Sequence, residues 1–198
     1  MYIIGLTGGI SCGKSAVAWL FRRYFNATTL DIDTVTHMLS KPGGELFDIY
    51  VRHFGSYVVT SEGLLNKRLI GEIIFNHPEE REWINSVAHP ILLNYARQFL
   101  VDCAEVGTRL VVLEVPLLFE AGWEHLFDEI WAVYIKRNIQ IQRLMARDNL
   151  TKQQARTRID SQMPSAEIRA RADVCIKNQG YSAGVRKQVF KAMRGRIF

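Results

Sequence analysis

Apolar positions fall along this chain in two rhythms. Residues 2–7 (Tyr-Ile-Ile-Gly-Leu-Thr), 110–115 and 130–135 are short, nearly unbroken apolar runs, the pattern of strands covered on both faces. Residues 28–32 and 174–176 read as two further short strands. Elsewhere apolar residues recur at helical spacing: Val17, Leu20, Phe21 and Tyr24 within 14–24, and comparable faces over 67–75, 79–88 and 91–105. Residues 138–148, 151–162 and 182–193 complete the helical set. Strands alternating with helices predict an α/β fold with a mainly parallel, five-stranded sheet. Residues 39–106 break that alternation. Gly43, Gly44, Gly55 and Gly63 interrupt the early part, and Pro78 and Pro90 punctuate the helices that follow. This stretch reads as a mostly helical insertion, with His89 held in a turn by Pro90.

The chain has 198 residues, room for one domain or for one core with insertions. With 48% hydrophobic and 23% charged residues it has the composition of a soluble globular protein. No apolar run approaches the ~20 residues of a membrane span. The opening run is short and lacks a basic flank, so it is expected to be a buried strand and not a signal peptide. Cys12, Cys103 and Cys175 are odd in number, far apart and without a CxxC pair. That argues against a disulfide framework or a zinc site and points to a reducing cytoplasm. Net charge is +5, and the excess is local: nine basic residues lie between Lys136 and Arg171 against three acidic ones, Asp148, Asp160 and Glu167. Such a segment attracts polyanions, either nucleic acid or the phosphates of a nucleotide; otherwise it is a solvated helix face.

The first motif decides which. Gly8-Gly9-Ile10-Ser11-Cys12-Gly13-Lys14-Ser15 fits G-x-x-x-x-G-K-[ST] at every fixed position, after a strand and before a helix. Glycines let backbone N–H groups close on phosphate oxygens, and the following helix aims its positive end there. Lys14 neutralises the β- and γ-phosphates, and the Ser15 hydroxyl is a Mg²⁺ ligand. Ser11 carries a Cβ, so its φ must be ordinary or strained. Cys12, beside Lys14 and a helix N-terminus, is in a setting that lowers a thiol pKa. A guanine-reading N-K-x-D is missing; Asn66-Lys67-Arg68-Leu69 lacks the aspartate. The best strand for a Walker B acid ends in Glu114-Val115-Pro116, a weak match. Asp31 and Asp33, two apart at a strand end, point to one face in an extended backbone. One can orient an acceptor hydroxyl and the other the metal's water shell, or the pair simply caps a helix. Arg143 and Arg147, four apart, share a helix face able to clamp phosphate.

Taken together these residues resemble the dephospho-coenzyme A kinase family. The resemblance is carried in order by residues 4–10 with Gly13-Lys14-Ser15, Asp31-Ile32-Asp33, residues 68–75, His89-Pro90-Ile91, Pro116-Leu117-Leu118-Phe119-Glu120, residues 140–144 with Arg147-Asp148, Arg158-Ile159 with Gln162, Ala172-Asp173 and Asn178. It implies a P-loop NTPase core of three α/β/α layers (residues 1–38, 107–139 and 164–198). It adds a helical acceptor-binding insertion (39–106) and a mobile helical lid (140–163). It implies transfer of the ATP γ-phosphate to the ribose 3′-hydroxyl of dephospho-CoA with Mg²⁺, the last step of coenzyme A synthesis. Asp33, Lys14 and Arg143 would be catalytic. ATP would lie on Gly9, Ile10, Ser11, Cys12, Gly13, Lys14, Ser15, Ala16, Arg147 and Asn178, the last near the adenine. Dephospho-CoA would meet Asp33, His89, Leu117 and Glu120, and the metal Ser15 with Asp31 as a further candidate. The expected partner is the small-molecule substrate, with no nucleic acid and no membrane, for a cytoplasmic monomer or weak homo-oligomer.

Overall fold

The computed structural model describes residues 1–179 and 182–196. Strands β1 (Tyr2–Thr7), β2 (Thr28–Asp31), β3 (Leu110–Glu114), β4 (Glu129–Tyr134) and β5 (Val174–Lys177) form one parallel sheet, ordered β2-β3-β1-β4-β5. The helices are α1 (Lys14–Phe25), α2 (Ile32–Leu39), α3 (Glu45–Phe54), α4 (Lys67–Asn76), α5 (Pro78–Glu105), α6 (Arg137–Asp148), α7 (Lys152–Asp160), α8 (Ser165–Arg171) and α9 (Ser182–Met193). By its internal contacts the chain divides into two units, residues 32–99 and the described remainder. The divisions fall at Asp31/Ile32 and, inside α5, at Phe99/Leu100, whereas the sequence reading put them after residues 38 and 106.

In the sheet-bearing unit, Ile4, Leu6, Val112, Trp131, Val133 and Ile176 build one core with Val17, Ala18 and Phe21 of α1 and Val185 and Val189 of α9. Every residue of β3 is buried, including Val111 and Leu113, which face opposite to Leu110 and Val112. Both faces of the sheet are therefore covered, which is why these strands read as continuous apolar runs. The register aligns Asp31 and Glu114, the last residues of β2 and β3, with Leu6 near the end of β1, so these carboxyl ends stand together. In open α/β sheets that edge is where ligands bind.

Two caps shape the α6–α7 hairpin. Asn149 ends α6 in a left-handed conformation, and Thr151 with Gln154 forms a reciprocal capping box that starts α7. Ile141, Leu144, Ala155 and Ile159 make a small separate core between the two helices, and Ile10 packs against it.

The other unit is helical and has its own aromatic centre. His53 stacks on Trp83 with ring centroids 3.5 Å apart, its Nε2 2.7 Å from Glu80 Oε2, and Phe54 meets the same indole edge-on at 5.6 Å. Two expectations are corrected here. Residues 79–88 and 91–105 are one helix, α5, with Pro90 inside it. Proline removes one intrahelical N–H bond, a loss that a helix of 28 residues absorbs because long helices propagate cooperatively. His89 accordingly lies in a helix and not in a turn.

Candidate active site

The phosphate loop joins β1 to α1. Gly8, Ser11 and Gly13 take positive φ of 138°, 58° and 89°. Two of these positions need glycine for space as well as for conformation. A Cβ on Gly8 would lie 2.1 Å from Val133 O, and one on Gly13 would lie 2.2 Å from Asn178 Nδ2. Ser11, of the two outcomes open to it, has the strained one.

Each side of the loop is tied to a different element. Ile10 N–H donates to Gln162 Oε1 at 2.8 Å, and Ile10 O accepts from Gln140 Nε2 at 2.9 Å. Asn178, buried at the end of β5, donates Nδ2 to Cys12 O at 2.8 Å. Lys14 Nζ donates to Gly8 O at 2.9 Å, so the ammonium lies over the loop's own carbonyls. Arg143 Nη1 sits 3.8 Å from where a Gly13 Cβ would stand, bringing that guanidinium to the loop. Cys12 runs against expectation: it is 2% exposed, and burial pushes its thiol pKa up more strongly than Lys14 and Arg143 pull it down. It is a core thiol, not an activated one.

Glu114 is the candidate that sequence reasoning undervalued. Its carboxylate is buried and is pushed above the usual carboxyl range by burial first and by neighbouring Asp31 second, while the Ser15 hydroxyl nearby pulls it back. Lys14 and Arg22 offset part of that shift. Ser15, Glu114 and Asp31 thus converge at the start of α1 as a set of hard oxygen groups, the kind Mg²⁺ prefers. Among the described residues no group of three or more His, Cys, Asp or Glu side chains could form a metal cage. A Mg²⁺ ion held largely by phosphates and water needs none.

Other singled-out residues lie elsewhere. Ala16 is exposed on the first turn of α1. Arg147 pairs with adjacent Asp148 at 2.7 Å, and Arg158 reaches the same carboxylate at 3.0 Å, so Asp148 is held below its ordinary pKa by Arg147 first. Glu120 Oε1 accepts from Met163 N–H at 3.0 Å, while Leu117 is half-buried beside fully buried Leu118. Much of the basic segment is spent on such ties: Arg137 pairs with Asp160, Arg171 with Glu124, and Arg169 lies over the Tyr134 ring at 4.8 Å. Asp31 ends β2, but Asp33 already stands in the first turn of α2. The extended-backbone argument that put both carboxylates on one face therefore fails, because the chain turns into a helix between them. Asp33 is exposed and His89 half-buried, both in the helical unit.

The family model described as dephospho-CoA kinase matches residues 2–183. The chain belongs to the dephospho-CoA kinase family. A dephospho-CoA kinase of Streptococcus pneumoniae is 37% identical over 98% of this chain and 95% of its own length. One of Syntrophotalea carbinolica is 39% identical over 98% and 91%. Among solved structures, the Thermus thermophilus protein TT1252 superimposes with a TM-score of 0.79 at 31% identity, covering 97% of this chain and 95% of that one. The dephospho-CoA kinase of Campylobacter jejuni gives 0.66 at 26% identity, with the same coverages. A shikimate kinase from Aquifex aeolicus, 0.51 at 18% identity, shares the fold. Family membership makes the chain an ATP-dependent kinase, and no described helix is long and apolar enough to cross a membrane.

Proposed function

We propose that this dephospho-CoA kinase family member transfers the ATP γ-phosphate to the ribose 3′-hydroxyl of dephospho-CoA, giving CoA and ADP in the cytoplasm as a monomer or weak homo-oligomer. The observation that carries the reading is the loop from Gly8 to Ser15 between β1 and α1, with buried Glu114 and its register partner Asp31 beside Ser15. Loop N–H groups and Lys14 hold the phosphates. Ser15, with Asp31 and Glu114 nearby, would hold a Mg²⁺ ion. The metal would supply charge neutralisation at the transferring phosphates. Asp33 orients the acceptor hydroxyl and takes its proton as the hydroxyl oxygen bonds to the γ-phosphorus and the bond to ADP breaks. Arg143, with Arg147 from the same helix face, stabilises charge on the moving phosphoryl group. The helical insertion with His89, and Leu117 with Glu120 after β3, receive dephospho-CoA; the α6–α7 pair is the lid; Asn178 lies toward the adenine.

The test is ADP release from Mg–ATP with and without dephospho-CoA, with the product's phosphate located on the ribose. Release should depend on dephospho-CoA. Asp33→Asn should cut turnover by about 100-fold or more while ATP affinity stays near wild type. Release that ignores dephospho-CoA but responds to another nucleoside overturns the acceptor assignment. Near wild-type turnover in Asp33→Asn removes Asp33 as the base.

A further inference from the structure

Three non-glycine residues among those described have positive φ: Ser11, Asn26 and Asn149. The two asparagines end α1 and α6, where a left-handed residue closes the helix and asparagine tolerates it well. Ser11 has neither excuse. It closes no helix, and serine gains nothing local from φ 58°.

A second, independent observation concerns its side chain. Ser11 Oγ is buried and has no hydrogen-bond partner among the described residues. Its neighbours are satisfied on both sides: Ile10 by Gln140 and Gln162, Cys12 O by Asn178. A buried hydroxyl without a partner destabilises the fold, and so does a left-handed serine; glycine would remove both penalties. Both fall on one residue at the middle of the phosphate loop. Lys14 and Arg143 bring positive charge to the same place, so an anion is the partner this environment favours. A hydroxyl donating to a phosphate oxygen makes a charge-assisted bond, stronger than a neutral one.

We propose that Ser11 Oγ is a side-chain phosphate ligand of the bound nucleotide, adding a hydroxyl donor to the loop's backbone N–H groups. This rests on the reading of residues 8–15 as the ATP phosphate site. Its consequence is that the hydroxyl, covered and unsatisfied in the free protein, is uncovered and satisfied in the complex, so serine is unfavourable for the free fold and favourable for nucleotide affinity.

The experiment is calorimetric titration of ADP and ATP in EDTA into wild type, Ser11→Ala, Ser11→Gly and Lys14→Ala, with a thermal melt of each nucleotide-free protein. Ser11→Ala should bind ADP about tenfold more weakly while melting at or above the wild-type temperature. Ser11→Gly should melt higher still and also bind ADP more weakly than wild type. Ser11→Ala binding ADP within about twofold of wild type, beside a Lys14→Ala that has lost binding, overturns this inference and leaves the phosphate site standing. Wild-type affinity retained in Lys14→Ala overturns the phosphate-site reading itself, and this inference with it.

Discussion

Glu114 is 3% exposed and stands in register with Asp31, so two carboxylates share one row of the sheet. Its pKa is raised, chiefly by burial. The stabilising state of such a group is the protonated one. Its contribution is complete below the ordinary glutamate pKa and is lost as pH rises through the raised value. Glu114→Gln removes that loss. The nucleotide-free variant should melt above wild type at pH 8, with the gap closing as pH falls toward 5. Under the proposed metal arrangement its Mg–ATP affinity should drop about tenfold or more, because the charged group beside Ser15 is gone. Metal-free ADP binding should be unchanged. A variant that melts below wild type at pH 8 would sink the argument. The phosphate loop could be read from sequence because its chemistry is local: glycine is needed where a Cβ would strike Val133 O or Asn178. Glu114 could not be read the same way. An acid closing an apolar strand acquires its meaning from Ser15 and Asp31, which only the sheet register and the start of α1 bring beside it.

Gln140, near the start of α6, and Gln162, just beyond α7, are far apart in sequence but meet at the open end of the hairpin, where both bond to Ile10. The Ile10 side chain also joins the hairpin's small core. The lid candidate and the phosphate loop are therefore one mechanical assembly, gripping a single residue by its N–H, its carbonyl and its side chain. Gln140 is buried, so Gln140→Ala strands the Ile10 carbonyl and should cost about 1–3 kcal/mol of stability. A urea midpoint shift at constant slope would measure it. ATP affinity should weaken several-fold in the same variant, since the loop loses one of its two hydrogen-bonded anchors at Ile10. Unchanged midpoint and affinity would mean that the contact carries nothing. The hairpin's helices were readable from their spacing, and β1, β3 and β4 from their apolar runs. Pro90 was not: proline is a boundary signal locally, and only the length of α5 on both sides shows that the helix runs through it. Likewise residues 28–32 read as one strand because the bend into α2 at Ile32 has no glycine or proline to announce it.

At the scale of the whole molecule, the phosphate loop and the proposed acceptor-binding insertion fall in different units, so the two proposed sites can be tested separately. A ligand that binds only the folded chain raises its apparent stability by mass action, about 2.7 kcal/mol at a hundred times its Kd. For a chain of this size that is a rise of roughly 5–10 °C in Tm. Lys14 lies on the loop carbonyls of Gly8 and Gly9 and helps to offset the charge of Glu114. Lys14→Ala should therefore melt slightly below wild type without ligand, since Glu114 loses a compensating cation. Saturating ATP, which stabilises wild type, should barely shift this variant, because the phosphates lose their principal countercharge. Dephospho-CoA should stabilise it as it does wild type if the helical insertion is the chief acceptor site. Two results would break this picture. An undiminished ATP shift in Lys14→Ala would move the nucleotide off the loop. Joint loss of both shifts would tie acceptor binding to the phosphate loop and remove the insertion as its chief site. Melting curves at matched ligand excess, run on wild type and Lys14→Ala side by side, decide among the three.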